Sequence, residues 1–172
     1  CIRDRYYLSF CQRKQLLKML NQFIFKINVQ EEWIDYNNHM QDAYYGLAFS
    51  YAVDHFQDAV GFDENYRSQT GCTIFVVEDH KFYLNEVKLR SELVIKTTLL
   101  DADKKKFILQ SQMLVNDKKV ASSEMLQAHV KTAPTPKITE MPQVIYNRFT
   151  DLLKLQNESN VKFFSRKLSL HR

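Results

Sequence analysis

The chain has 172 residues, 45% hydrophobic and 13% aromatic, enough apolar material for one domain around one core and too much for a disordered chain. Its 24 Lys and Arg stand against 20 Asp and Glu, a net charge of +4, and they are scattered among acids except at Lys104, Lys105 and Lys106 and in the last residues, so no nucleic-acid partner is expected. No apolar run approaches the roughly 20 residues that cross a bilayer, so a soluble, cytoplasmic body with no membrane partner is expected; Cys1, Cys11 and Cys72, an odd set without CxxC spacing, suit reduced thiols better than disulfides or zinc.

Residues 1–22 differ in character from the rest of the chain. They carry Arg3, Arg5, Arg13, Lys14 and Lys18 among Tyr, Leu and Phe, with a short amphipathic helix predicted over 10–20. The scarcity of acids fits a mitochondrial targeting segment and the lack of a Ser-rich character does not, so the stretch is read as an N-terminal extension outside the core, left by truncation or belonging upstream in a longer chain.

Over residues 23–30, Phe23, Phe25, Ile27 and Val29 alternate with Ile24, Lys26, Asn28 and Gln30, which predicts a half-buried strand. It delivers the chain into EEWIDYNNHMQDAYYGLAFSY, residues 31–51. There Met40, Ala43, Tyr44, Leu47, Ala48, Tyr51 and Phe56 recur every three or four residues, predicting a helix with that stripe buried, running to about Val60 and stopped by Gly61 as a left-handed cap. Ala43, Gly46 and Ala48 are small enough to let the backbone lie close on another surface. Just ahead, Asp35, Tyr36, Asn37, Asn38 and His39 bring a carboxylate, an imidazole and two amides to a helix start, where unpaired N–H groups and the helix dipole favour an anion or a polarised carbonyl. Asn37 or Asn38 is equally an ordinary helix cap, and the motif alone leaves both readings open.

After a polar connection over 62–71, residues 73–85 are apolar on both alternating sets, which predicts a central strand buried on two faces. Glu78 and His80 fall by alternation on the face of Ile74, Val76, Phe82 and Leu84, where an ionisable pair needs partners or a ligand. The bland reading puts them near an exposed strand end or pairs them with Lys81 or Arg90. Further strands are predicted over 92–100, 106–116 and 119–130, with turns at 101–104 and 116–119. Pro134, Pro136 and Pro142 end the sheet, and residues 133–172 form a C-terminal extension with a short helix over 144–155, carrying Ile145, Phe149, Leu152 and Leu153 on one side, and a basic tail. His55 and His129 are read as structural. The order is that of an α+β fold with one helix on an antiparallel sheet, and the second apolar set of the two-faced strand needs another copy or a ligand, with dimerisation the natural remedy, in a homodimer or tetramer. No HExxH spacing, GxSxG elbow or Gly-rich phosphate loop is present, which argues against a metal site, a serine hydrolase and a nucleotide-binding enzyme.

With WIDYNNHMQDAYY at the strand-to-helix junction and VVEDHKFYLNE beyond it, this order resembles the hotdog-fold acyl-CoA thioesterases of the 4-hydroxybenzoyl-CoA thioesterase type. Within them it looks most like the branch of betainyl-CoA thioesterases and the thioesterase parts fused to some carnitine dehydrogenases. The resemblance covers residues 23–132, the expected domain, and implies a hotdog fold: one long helix wrapped by a five- to six-stranded antiparallel sheet. Asp35 and His39 fit the family's register, while Asn38 stands where the family usually has Gly and Gln41 replaces a common Asn. The resemblance implies hydrolysis of a small acyl-CoA, betainyl-CoA among the candidates, to free acid and CoA. Asp35 would be nucleophile or general base, and the amide of Asp42 or a close neighbour the oxyanion donor. His39 and Glu78 complete the expected catalytic set, Glu78 orienting water or contacting a cationic acyl group, with Asn37, Asn38, Met40, Asp42, Tyr44 and Tyr45 along the substrate. Coenzyme A is part of the substrate, and no separate cofactor and no metal is expected. A non-catalytic acyl-CoA-binding hotdog module and a hotdog hydratase or dehydratase are the alternatives.

Overall fold

A computed structural model describes residues 23–156; the expectations for residues 1–22 and for the basic tail lie outside the described residues. In chain order the elements are β1 (Ile24–Asn28), a single 3₁₀ turn (Glu31–Trp33), α1 (Asp42–Val60), α2 (Glu64–Thr70), β2 (Cys72–Tyr83), β3 (Glu92–Ala102), β4 (Lys106–Val115), β5 (Lys118–Lys131), β6 (Lys137–Ile138) and α3 (Gln143–Gln156). The strands form one antiparallel sheet in the order β1-β3-β4-β5-β2, with the short β6 added on β5.

The hairpins follow from local chemistry. Between β4 and β5, Asn116 and Asp117 both take positive φ, 49° and 61°, the conformation of a tight two-residue turn that Asn and Asp tolerate. Between β3 and β4, the Asp103 carboxylate accepts from the amides of Lys105 at 2.6 Å and Lys106 at 2.7 Å, so the side chain closes the loop. Register shifts at Val76/Glu78, Leu99/Asp101 and Met113/Leu114 interrupt the strands, and such bulges bend and twist a sheet.

The sheet curls around α1. Gly61 ends the helix at φ 106° and donates to the carbonyls of Gln57 and Asp58, as its sequence position predicts. The buried stripe is turned about one residue from the expected one: Tyr45, Ala48, Phe49, Ala52, Val53, Phe56, Gln57 and Val60 face the sheet, while Ala43 is exposed and Tyr51 is 39% exposed. Several apolar stripes are available on so aromatic a helix, and the one with Phe49, Phe56 and Val60 buries more hydrocarbon without burying the Tyr51 hydroxyl. Opposite it lie Leu93, Ile95 and Leu99 of β3, Phe107, Leu109 and Met113 of β4, and Ala121 and Met125 of β5. α3 packs on β3 and closes the far end. Ile145, Phe149 and Leu152 join the same core, the Phe149 ring lies 5.0 Å from Phe107 and 6.2 Å from Phe56, and Arg148 donates to the Val60 carbonyl at the end of α1.

β2 is not the central strand that its two apolar faces predict. It is an edge strand beside β5, and Phe75, Val76, Val77, Tyr83 and Leu84 are 44–56% exposed. The consecutive hairpins of β3, β4 and β5 take the middle of the sheet. The apolar pattern reports a demand for burial, not a position among the protomer's own strands.

His129 of β5 shows how the far end is tied together. Its ring stacks on Phe62 at 5.7 Å; Nδ1 lies 3.0 Å from the Thr139 carbonyl, which can only accept, so Nε2 accepts from the Tyr66 hydroxyl at 2.7 Å. The neutral ring therefore joins α2, β5 and the segment after β6. Burial pushes its pKa below the usual 6.5. Burial disfavours the charged ring, so the unfolded chain takes up the proton first: the stability that depends on neutral His129 is present above about pH 6.5 and is lost as pH falls below it toward the depressed folded value. Urea midpoints measured from pH 8 to pH 5 are expected to fall on the acid side, and His129→Gln is expected to flatten that fall.

Candidate active site

The approach to α1 is built from backbone bonds. Ile34 and Met40 pair as an isolated antiparallel bridge, and residues 35–39 make the loop between them. Asp35 N donates to the His39 carbonyl at 2.9 Å and Asn38 N to the Asp35 carbonyl at 3.0 Å, while Asp35 Oδ1 accepts from the amides of Asn37 at 2.8 Å and His39 at 3.2 Å. Asn38 sits at φ 62°, a conformation that Gly adopts freely and that Asn tolerates among L residues. Neither Asn37 nor Asn38 caps the helix. Both belong to the loop, and Gln41 occupies the cap position without a side-chain bond.

Two further backbone bonds hold this loop to the body: Met40 N donates to the Val87 carbonyl at 2.8 Å and Gln41 N to the Trp33 carbonyl at 2.9 Å. The helix then begins with the amides of Asp42 and Ala43 unbonded among the described residues. Asp35 Oδ2 likewise makes no hydrogen bond there. The local arrangement is thus a carboxylate with one oxygen tied to its own loop and one free, close in sequence to a helix start with donors to spare and a favourable dipole.

The remaining expected residues fall into separate environments. Met40 and Tyr45 are buried, each 4% exposed; Tyr44 stacks on Trp33 at 5.6 Å, and Tyr45 meets Tyr83 edge-on at 5.3 Å, with its hydroxyl 3.4 Å from the Asn85 carbonyl. Burial raises the pKa of both Tyr45 and Tyr83. Asn37, Asn38 and Asp42 are exposed. His39 Nε2 lies 3.0 Å from the Glu86 carboxylate, an acid that no pattern in the sequence singles out. The signal for it is its place just after β2, next to the Val87 that holds Met40.

Glu78 and His80 do not share the face of Ile74 and Val76. The register passes from Val76 opposite Gln127 to Glu78 opposite Leu126, so Val77 is a bulge and alternation reverses beyond it. Glu78 and His80 turn away from α1 and pair with each other at 2.7 Å, both well exposed. Asp79 and Lys81 take the inward places. They form an ion pair, Ser123 Oγ donates to Asp79 Oδ1 at 2.7 Å, and the Lys81 stem crosses α1 where a Cβ on Gly46 would come within 3.3 Å of its Cε. Gly46 is therefore the close approach that the small residues of α1 predict, and the surface it meets is a lysine. Alternation does not reveal the Asp79, Lys81 and Ser123 cluster, because a one-residue bulge leaves no mark in the order of side chains.

Among the described residues no three His, Cys, Asp or Glu side chains gather as metal ligands, and no helix is long and apolar enough to cross a membrane. Because Asp79 and Lys81 are only 20% and 25% exposed, removing one partner leaves the other poorly solvated. Asp79→Ala is expected to lower unfolding free energy by about 1–3 kcal/mol. Asp79→Asn, which retains an acceptor for Ser123, is expected to lose less; equal urea midpoints for wild type and Asp79→Ala would show the cluster to be energetically idle.

A sequence model described as the thioesterase-like superfamily matches residues 29–149. The betainyl-CoA thioesterase of Pseudomonas aeruginosa is 36% identical over 104 residues, 59% of this chain and 65% of that protein. The L-carnitine dehydrogenase/betainyl-CoA thioesterase of Agrobacterium fabrum is 33% identical over 132 residues, 76% of this chain and 27% of that protein. The chain thus spans less than two thirds of the length of either relative. Among solved structures, a Staphylococcus aureus protein in complex with CoA superposes with a TM-score of 0.78 at 24% identity, covering 86% of this chain and 94% of that one. A DHNA-CoA thioesterase from the same species does so with 0.69 at 11% identity, covering 81% and 95%. At these identities the likeness to solved structures is one of fold, the helix-in-sheet arrangement called the hotdog.

Proposed function

The chain belongs to the thioesterase-like superfamily, and from that premise we propose that it hydrolyses a small acyl-CoA thioester to the free acid and CoA, with betainyl-CoA the first substrate to try. The observation that carries the reading is the uncapped start of α1 beside the Asp35 loop. A thioester carbonyl placed against the Asp42 and Ala43 amides would have its oxygen stabilised as it becomes an oxyanion, a contribution of about 3–4 kcal/mol per donor in other enzymes. The free oxygen of Asp35 then either takes a proton from an attacking water or attacks the carbonyl carbon itself, forming an anhydride that water opens. In both versions the new carbon–oxygen bond replaces the carbon–sulfur bond, and the departing thiolate takes up a proton. His39, held by Glu86, is placed on the same loop to give that proton or to orient the carbonyl. Glu78, turned from α1, has no part in this protomer's version of the step.

Free-thiol release from betainyl-CoA and from short, branched and aromatic acyl-CoAs tests the reading. Wild type is expected to turn over at least one of them and Asp35→Asn to lose at least about a hundredfold in kcat. Binding of acyl-CoA by calorimetry with no thiol release would point to a binding module instead.

We also propose that the exposed apolar edge of β2 is covered by a second copy, edge strand to edge strand, in a dimer or a tetramer of such dimers. An edge of this length with Phe75, Val76 and Val77 exposed is a ready template for pairing. Light scattering of the purified protein is expected to give at least twice the chain mass, and Val77→Glu to give one chain mass; a wild-type monomer would end this part of the proposal.

A further inference from the structure

Residues 85–87, directly after β2, meet the approach to α1 at three consecutive positions. Asn85 is tied on both sides: its amide donates to the Val120 carbonyl at 3.1 Å and its Nδ2 to the Lys119 carbonyl at 2.9 Å, while its own carbonyl accepts from the Tyr45 hydroxyl at 3.4 Å. Val87 is buried, and its carbonyl accepts from Met40 N at 2.8 Å. Glu86 stands between these two fixed residues, and its carboxylate reaches His39 Nε2 at 3.0 Å. The histidine end is held as well. His39 N donates to Asp35 Oδ1 at 3.2 Å, the His39 carbonyl accepts from Asp35 N at 2.9 Å, and the next residue, Met40, is the one bonded to Val87.

An exposed ion pair is worth little when two long side chains must be held in one geometry. Glu86 is 72% exposed, so little stability is expected from this pair. The backbones on both sides are already fixed, however, so the pair can set the orientation of the ring. A carboxylate oxygen 3.0 Å from Nε2 repels a lone pair there and attracts an N–H, which favours the form of the neutral ring with its proton on Nε2. Nδ1 then carries the lone pair, and it has no hydrogen bond among the described residues.

We propose that Glu86 is a positioning residue for hydrolysis: it acts through His39, turning Nε2 to itself and leaving Nδ1 as the nitrogen that exchanges a proton with the reactants. This rests on the thioesterase reading and assigns an atom within it. Hydrolysis takes one proton from water and delivers one to sulfur. The proton that water loses as the carbon–oxygen bond forms is taken up at Nδ1, directly or by way of the free Asp35 oxygen. Nδ1 returns it to the sulfur, which leaves with the electron pair of the carbon–sulfur bond. In between the ring is a cation, and the Glu86 carboxylate beside Nε2–H is placed to balance that charge, an order of carboxylate, imidazole and reacting group that hydrolases of unrelated fold also use.

The first test is ring-nitrogen NMR of the full chain labelled at histidine, with His39 assigned by its absence in His39→Gln, at about pH 8.5, well above the ordinary histidine pKa of about 6.5. Wild-type His39 is expected in the Nε2–H form alone. Glu86→Gln keeps the size of the side chain but can turn either an oxygen or an N–H to the ring, and is expected to give a mixture of both forms. Thiol release from whichever acyl-CoA the wild type turns over is the second test. Glu86→Gln is expected to lower kcat about tenfold or more with KM within about twofold, and to cost nothing further when added to His39→Gln, because the carboxylate acts only through the ring. Urea midpoints of wild type and Glu86→Gln are expected to agree, which separates this role from a structural one. The proposal is overturned by a wild-type ring with its proton on Nδ1 or shared between both nitrogens, by unchanged kcat in Glu86→Gln, or by an equal further loss when that change is added to His39→Gln. If the wild type turns over no acyl-CoA, the hydrolase reading fails separately, and the wild-type tautomer alone decides whether Glu86 sets the ring.

Discussion

Two backbone hydrogen bonds, Met40 to Val87 and Gln41 to Trp33, decide where α1 begins and how the chain arrives there. A helix start without a side-chain cap has donors to spare, and its direction is useful only if something rigid holds it. Here the segment after β2 holds one end of the clamp and the 3₁₀ turn after β1 the other. The sheet that wraps α1 is thus also the frame that aims its first amides. The loop of Asp35 hangs between these fixed points with its own internal bonds, one carboxylate oxygen tied to the loop and one left over.

The inward side of β2 carries the other consequence of the fold. An ion pair and a serine replace hydrocarbon where the edge strand faces the start of α1, and the helix makes room for them with a glycine. A partly buried charged pair does not outperform a well-packed apolar pair as a source of stability. The outward side of the same strand carries apolar groups and the Glu78–His80 pair, so beyond Val77 the side chains of β2 have exchanged the faces that alternation assigns them.

Much of this is legible in the residues. The long helix, its glycine stop, the hairpins, the C-terminal helix with Ile145, Phe149 and Leu152 on its buried side and the α+β arrangement all follow from local periodicity and turn chemistry, which depend on neighbours within a few positions. The Asp35 to His39 cluster stands out because ionisable groups crowd an otherwise apolar junction. The rotation of the buried stripe to Phe49 and Phe56 is less legible, since a helix rich in aromatics offers several stripes and only the facing strands choose among them. Nothing in the spacing of Asp79, Lys81 and Glu86 marks them out, because each owes its place to a partner on another part of the chain.

Element order, family resemblance and the candidate loop are written in the residues, because propensity, turn chemistry and amphipathic period are local properties of the chain. Which side of β2 meets the helix is not a local property. One residue at Val77 without a partner on β5 reverses every side chain beyond it, and whether a strand bulges depends on the pairing of two strands rather than on either alone. The same holds for the edge position of β2: its apolar residues announce that they need cover, and only the assembled sheet shows that the protomer does not provide it.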